Sequence, residues 1–402
     1  MIDFNAYVTR TSGKHGPLVQ PRMGVGPLED MRDGLMATAT ANPATVCTIT
    51  LDSFTRVCAF DKAAAALASG AHLNGFPIMA YPREAVRELV SEIASATGRP
   101  VQVRHGSALP SKVFQRMAEI GMTATEGGPV SYCLPYSRLP LEQAVDDWRQ
   151  GARALAEASD ISHIESFAGC MMGQMADPAL LVALSVLEAL FLKQCGVSSV
   201  SVSYAQGISP TQDRAALRAL DVLTSHYLDG HPFHIVAYVF MGLFPNTMIG
   251  FCRITEDLLS IAQSENVARV IVKTPVENRR IPTVAENVAS LNFSHHSMAQ
   301  NTMPEHPFDN REFEAVLARA DLLIEQTLRK DPDVGRALLA AFADGILDVP
   351  YCLHTSNRSR ARTAIMDGRY APAQSDGGST DALLAALKFN QSQYDVQPSG
   401  FI

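Results

Sequence analysis

A closed (β/α)8 barrel of TIM type, followed by a helical C-terminal region, is the α/β fold this sequence predicts. Three observations carry that expectation. Short apolar runs, often β-branched, alternate with stretches of helical spacing. The alternation persists through most of the first 300 residues, and beyond them no run of comparable strength recurs. Parallel strands need a crossover helix between them, so alternation specifies a parallel sheet, and this many units over about 250 residues close into a barrel.

In chain order the strand-like runs are PLVQPRMG (17–24), ATVCTITLDS (44–53), AHLNGFPIM (71–79), RPVQVRHG (99–106), GMTATEGG (121–128), SHIESFAG (162–169), SSVSVSYA (198–205), FHIVAYVFMG (233–242) and ARVIVKTP (268–275). They number nine where a barrel needs eight, and periodicity does not say which one lies outside it. Between them, stretches such as YPREAVRELVSEIASATG (81–98) and DRAALRALDVLTSHYLDG (213–230) repeat apolar residues at helical spacing. PALLVALSVLEALFL (178–192) is too short for a bilayer span and carries Glu188, which makes it a buried core helix. DNREFEAVLARADLLIEQTLRK and DVGRALLAAFADGILD are helical, and a Ser-, Gly- and Arg-rich tail (354–380) reads as irregular. The expected division is a barrel over 1–300 and a helical region over 301–402.

Composition narrows the function classes. The 402 residues are 47% hydrophobic and 18% charged, ordinary for a globular chain with a sizeable core. A net charge of −8 and the lack of a basic, aromatic-interleaved stripe argue against a nucleic-acid partner. Seven scattered cysteines without a CxxC pair suit reduced thiols and no metal site. With no basic-then-apolar leader pattern, a cytoplasmic, membrane-free protein is expected.

In such a barrel chemistry collects at the carboxyl ends of the strands. Arg22 ends the first run, Arg56 lies just past the second, Asn74 falls in the third, and Arg104 and His105 close the fourth. Glu126 closes the fifth, and Lys273 the last, with Glu277 four residues on. Singly, each reads as a surface or salt-bridge residue. Together they suggest a ligand. Arginine forks grip carboxylates, so three arginines suit a dicarboxylate, and a glutamate among them calls for a ligand ammonium as well. A small, glutamate-like amino dicarboxylic acid meets both demands. The stretch EGGPVSYCLPYSR (126–138) adds two tyrosines, Tyr132 and Tyr136, behind a glycine pair read as a hinge, and suggests a loop bent over that ligand.

QPRMGVG, TITLDSFTR, LNGFP, VQVRHG, EGGPVSYCLPY, MGLFP and VIVKTPVENRRIP, in this order from about residue 18 to 285, together resemble the catalytic epsilon subunits of glutamate mutase, also called methylaspartate mutase. GILDVPYCLHTSNRSRARTA continues the resemblance more weakly. The resemblance implies an isomerase that uses adenosylcobalamin to interconvert L-glutamate and L-threo-3-methylaspartate by radical fragmentation and recombination. It implies that Arg22, Arg56, Arg104 and His105 hold the substrate. Glu126 would meet its amino group and is a candidate base, and Tyr132 and Tyr136 would also reach it. Gly24, Asn74, Pro135 and Phe244 match positions lining the cobalamin; Lys273, Glu277 and Ile281 match those around its adenosyl group.

Two features depart from the family. Its HQWMGGFP reads YVFMGLFP here, beginning at Tyr238, and SFAGCMMGQMADP replaces a Pro- and Thr-rich segment. Both changes are expected to touch the cofactor face and barrel wall more than the carboxylate clamp. The cobalt-ligating motif DxHxxG has only a near miss, DGHPFH (229–234), with His where Gly is required; His231 and His234 read as turn and strand residues. Cobalamin is therefore expected on a separate small α/β subunit over the barrel mouth, with this chain a homodimer in a heteromeric complex.

Three alternatives stand beside this reading. A Schiff-base aldolase could use Lys273 as nucleophile, but it leaves the arginines unexplained. A binding protein that kept the pocket would not need Lys273 and Glu277. A related mutase could act on another amino dicarboxylic acid.

Overall fold

The computed structural model describes residues 2–171, 175–277, 279–300, 303–373 and 380–395. Its centre is a ring of eight parallel strands: β1 Leu18–Gln20, β2 Cys47–Thr50, β3 Val101–Arg104, β4 Ala124–Glu126, β5 His163–Ser166, β6 Ser199–Ala205, β7 Phe233–Tyr238 and β8 Val267–Ile271. Each strand pairs with its sequence neighbour from β2 to β8, and β8 pairs with β1. The remaining gap is bridged where Val19 of β1 pairs with Thr45, just ahead of β2. The sheet therefore closes, with helices outside, as a (β/α)8 barrel.

The run at 71–79 is the one outside the barrel. It makes a single bridge, Phe76 to Leu51, past the end of β2. The physical cause is local: Pro77 cannot donate to a ladder, and a side chain at Gly75 would lie 2.5 Å from the Leu51 carbonyl carbon. Asn74 is thus not at a strand end. Its carboxamide oxygen accepts the Ser53 N–H at 2.9 Å and supports the short helix Ser53–Arg56.

Alternation along the strands sends every second side chain inward. Small barrels usually fill their interior with branched apolar residues. This one carries a polar layer at mid-height. Gln20 donates to Thr48 Oγ1 at 2.9 Å and to Gln102 Oε1 at 2.7 Å, and Gln102 donates to Glu165 Oε2 at 3.2 Å. Arg269, fully buried, reaches the same Glu165 oxygen at 2.6 Å. Below this layer His163 and His234 stack with centroids 5.1 Å apart, and Phe4 stacks on His163 at 5.0 Å. Asn5 pairs with His234 Nδ1 at 2.7 Å, so the helix Phe4–His15 stoppers the amino end of the barrel. His231 lies in the turn leading to β7 and His234 on that strand, the places their sequence context indicated.

The apolar helix Pro178–Gln194 is buried along nearly its whole length, as expected. It lies between the barrel and the helices Pro210–Leu228, Asn310–Leu328 and Val334–Asp344, which explains why its apolar residues go all round. The tail is more regular than its composition suggested. Strands β9 Arg362–Met366 and β10 Arg369–Ala373 form an antiparallel hairpin turned at Asp367 and Gly368, both at positive φ. Asp-Gly is the favoured pair for a two-residue hairpin turn, a signal that the surrounding polar residues obscure. A final helix, Thr380–Tyr394, follows. Among the described residues no helix is long and apolar enough to cross a membrane.

Candidate active site

The carboxyl ends of the strands bring most of the sequence-indicated residues together. Arg104 ends β3 and Glu126 ends β4; both are buried, and Arg104 Nη2 meets Glu126 Oε2 at 3.1 Å. Burial lowers the Arg104 pKa, but Glu126 and its neighbours outweigh this, so the guanidinium stays charged. Tyr132, from the loop after β4, donates a short hydrogen bond to Glu126 Oε1. The Tyr136 ring lies 6.1 Å from that of Tyr132, half exposed at the rim. Burial raises the pKa of its hydroxyl, against the opposing pull of Arg22 and Arg56. Arg56 and Tyr136 line a cavity of about 270 Å³ with Gly106 and Arg138. At this end of the barrel two guanidinium atoms, Arg104 Nη1 and Arg56 Nε, are buried without a protein hydrogen-bond partner among the described residues; a third such atom, Arg99 Nε, lies ahead of β3 at the other end. Buried donors are normally paired, so the two at this end are open to acceptors from outside the chain.

His105 is in the wall. Its ring packs against Phe114, Tyr132 and Trp148 at 5.2–5.4 Å. Burial drives its pKa down to about 3, and Nδ1 accepts the Ser107 N–H at 3.0 Å, so a neutral ring carries its proton on Nε2.

A second group gathers at β7, β8 and β1. The Lys273 ammonium stands 5.1 Å from the Phe244 ring centre, and burial brings its pKa down to about 8 against the pull of Glu277. Glu277 accepts from Arg22 Nη1 at 2.7 Å, joining the carboxylate-clamp residues to those matched to the adenosyl group. Gly24 sits tightly against Thr50, Pro135 is half buried in the Tyr132 loop, and Ile281 is 43% exposed on the rim. Asn74 accepts from Ser53 and has no hydrogen bond to any of these groups among the described residues.

Several participants escaped the sequence reading. Tyr238, the first residue of the departing YVFMGLFP, points into the barrel rather than onto the cofactor face. Its hydroxyl lies 3.1 Å from Glu126 Oε2 and donates a short bond to Glu165, while its ring faces the Arg104 guanidinium at 5.4 Å. This departure therefore reaches Arg104 and Glu126 and not only the cofactor face and barrel wall, because strand alternation turns Tyr238 inward. Residues 172–174 of the other departing segment lie outside the described residues. An acid and an arginine inside strand runs, Glu165 and Arg269, were the available signals for the layer beneath.

The glycine pair is also not a hinge. Gly127 has φ +118°, and a side chain there would strike the Tyr132 ring. At Gly128 an added Cβ would lie 2.0 Å from Glu188 Oε2. Glu188 reaches up from the helix Pro178–Gln194 and accepts the Val130 and Ser131 N–H groups at 2.9 and 2.8 Å. It also takes the Ser131 and Ser166 hydroxyls at 3.0 and 3.1 Å. Burial pushes its pKa up to about 7 despite these donors. Both glycines let a buried acid anchor the tyrosine loop. Gly128→Ala is accordingly expected to cost about 1–3 kcal/mol through overpacking. Calorimetry should read a melting temperature several degrees lower, on the order of 2–4 °C per kcal/mol for a large domain. An unchanged melting temperature would mean that the Glu188 anchor does not hold the loop.

Comparison with known proteins agrees with this geometry. A family profile described as methylaspartate mutase E chain matches residues 2–370. The chain belongs to that family. Its members named glutamate mutase epsilon subunit include one from Halobacterium salinarum, 30% identical over 359 residues, covering 83% of this chain and 72% of the relative. The relative from Haloarcula marismortui is 30% identical over 382 residues, 90% of this chain and 74% of its own. That from Escherichia coli is 28% identical over 360 residues, 85% and 74% respectively. Membership makes the protein a mutase, hence an isomerase, and sets aside the Schiff-base aldolase and the non-catalytic binder. The word subunit in the relatives' names refers to a multi-chain assembly.

Proposed function

We propose that this chain binds L-glutamate and L-threo-3-methylaspartate and interconverts them as the catalytic subunit of an adenosylcobalamin-dependent carbon-skeleton mutase. The observation that carries the substrate class is the pair of buried, unpartnered guanidinium donors on Arg104 and Arg56 beside a buried glutamate. Two carboxylates and an ammonium would satisfy all three. Arg104 and Arg56 hold the carboxylates, with Arg22 supplying a third fork once a ligand competes with Glu277. Glu126 takes the ammonium, and Tyr132 keeps Glu126 in place. Neutral His105, Trp148 and Phe167 wall the site against water, which strengthens each ion pair and retains small fragments.

Phe244, Lys273 and Glu277 are the residues that would hold the adenosyl end of the cofactor: an aromatic face, a donor and an acceptor suit a nucleoside. When bound, adenosylcobalamin supplies by cobalt–carbon homolysis the radical that takes hydrogen from the substrate. The protein's part is to position and enclose. Exposed apolar side chains stand on the segments that follow β2 and β7: Val57 at 66% and Leu243 at 42% on loops, and Met248 at 61% and Ile249 at 53% at the start of the helix Met248–Ser264. They support the reading that a small cobalamin-carrying subunit docks there; the proposal also takes this chain as a homodimer in the cytoplasm.

The isolated chain is therefore expected to bind adenosylcobalamin weakly and to turn over no glutamate. Adding a cognate cobalamin-binding subunit should confer both, read by the cobalamin absorbance retained on gel filtration and by methylaspartate formation. Tight, stoichiometric cobalamin binding by the chain alone would overturn the two-subunit reading.

A further inference from the structure

The Tyr238 hydroxyl stands between two carboxylates. It donates a short bond to Glu165 Oε1 and lies 3.1 Å from Glu126 Oε2. A phenol has one hydrogen, so it can serve only one of them. The short bond assigns that hydrogen to Glu165, whose other oxygen takes Arg269 at 2.6 Å and Gln102 at 3.2 Å. The phenol's lone pairs then face Glu126 Oε2 inside a buried site, where Arg104 Nη2 approaches the same oxygen at 3.1 Å from another side. Two oxygens meeting at hydrogen-bond distance without a hydrogen between them repel, and burial of both residues leaves that repulsion weakly screened. A proton on Glu126 Oε2 turns the repulsion into a hydrogen bond.

We propose that in the ligand-free protein Glu126 is held as the un-ionised acid by the hydroxyl of Tyr238, which it shares with Glu165, and that a docking ammonium expels this proton to solvent. The ammonium clause rests on the substrate class proposed above; the shared proton does not. The groups facing Glu126 come from every neighbouring element. Arg104 projects from β3, Arg22 from the end of β1, Glu165 from β5 and Tyr238 from β7. Tyr132 and Tyr136 come from the following loop, and Cys170 from the turn Ala168–Cys170. Burial pushes the Glu126 carboxyl up, Arg104 pulls it down and Glu165 pushes it up again, with a net rise. The phenol cannot supply the missing state by ionising, since burial holds Tyr238 well above its ordinary range. Proton balance is simple. The acid O–H of Glu126 breaks, the proton goes to bulk water, and the carboxylate left behind pairs with the ammonium.

The proposal makes a spectroscopic prediction that needs no turnover. Infrared spectra of the full chain at neutral pH should contain a carbonyl band of an un-ionised carboxylic acid that Glu126→Gln removes. Glu188 and Asp213 are also buried acids with pKa values pushed up to about 7, so the band must be assigned by this difference. Tyr238→Phe removes the acceptor of the acid proton and should shift the band, which keeps the test usable if the Gln variant folds poorly. L-Glutamate should abolish the band, with release of a proton seen by calorimetry in buffers of different ionisation enthalpy. Glutarate, which lacks the ammonium, should leave it in place. The absence of any Glu126-dependent acid band in the free chain overturns the proposal, as does a band that survives bound L-glutamate. If calorimetry detects binding of neither acid, the substrate reading fails and the ammonium clause with it, while the band still decides the shared proton.

Discussion

Arg104→Lys should lose affinity and turnover together, although it conserves charge. The native guanidinium spends one arm on Glu126 at 3.1 Å, lies over the Tyr238 ring and keeps Nη1 free of protein partners. An ammonium on a flexible stem can replace the pairing with Glu126 but cannot offer a second, coplanar donor to a carboxylate. Hydrogen bonds to charged groups are worth about 1.5–3 kcal/mol net, so kcat/KM should fall on the order of 10- to 100-fold. The fall should appear in both KM and kcat, since the lost contact holds ground state and transition state alike and also sets orientation. Steady-state kinetics of the assembled enzyme reads this directly. Turnover near the native level would remove Arg104 from the clamp.

Glu126→Gln should separate binding from turnover. Glutamine keeps the shape and still accepts from Tyr132, while losing the charge that would face an ammonium. Binding should weaken by a few-fold, as one ion pair among several is lost. Turnover should drop on the order of 100-fold, because small misplacements of a reacting centre cost that much. The pH profile supplies the sign. Only the carboxylate pairs with the ammonium, and burial raises the Glu126 pKa above the ordinary carboxylate range. Native kcat/KM should therefore decline toward acid, beginning at a higher pH than an exposed carboxylate would give, and the variant should lack that limb. Because the neutral amide mimics the un-ionised acid, the melting temperature should stay close to native. Normal turnover with a lowered melting temperature would instead make Glu126 a structural acid beneath the loop.

Much of this was legible in one dimension. Strand and helix alternation is a local property, written in side-chain spacing of two and of three to four, so barrel closure could be anticipated from residue order alone. Arg22, Arg104, Glu126 and Lys273 could be placed because each ends or closely follows an apolar run, and strand ends are where a barrel opens. Chemical type then suggested the ligand: planar forks for carboxylates, an acid for an ammonium. The run at 71–79 and the hairpin at 362–373 went astray for the opposite reason. Apolar content alone does not reveal that Pro77 denies a ladder bond, or that Asp367 and Gly368 turn a polar tail back on itself.

Only the closed barrel decided who meets whom. Arg22 and Glu277 are 255 residues apart and pair because β8 lies beside β1. Tyr238 reaches Glu126 and Glu165 because three strands point their side chains into the same interior. Glu188, a single acid in an apolar helix, became the anchor of the tyrosine loop once two glycines let the helix approach. Burial, likewise a property of the whole fold, set the proton affinities, holding His105 neutral and lifting Glu126 and Glu188. Local spacing encodes which side of an element a residue faces. Its partners and its charge depend on what the other elements bring to that side and on how much water they leave there.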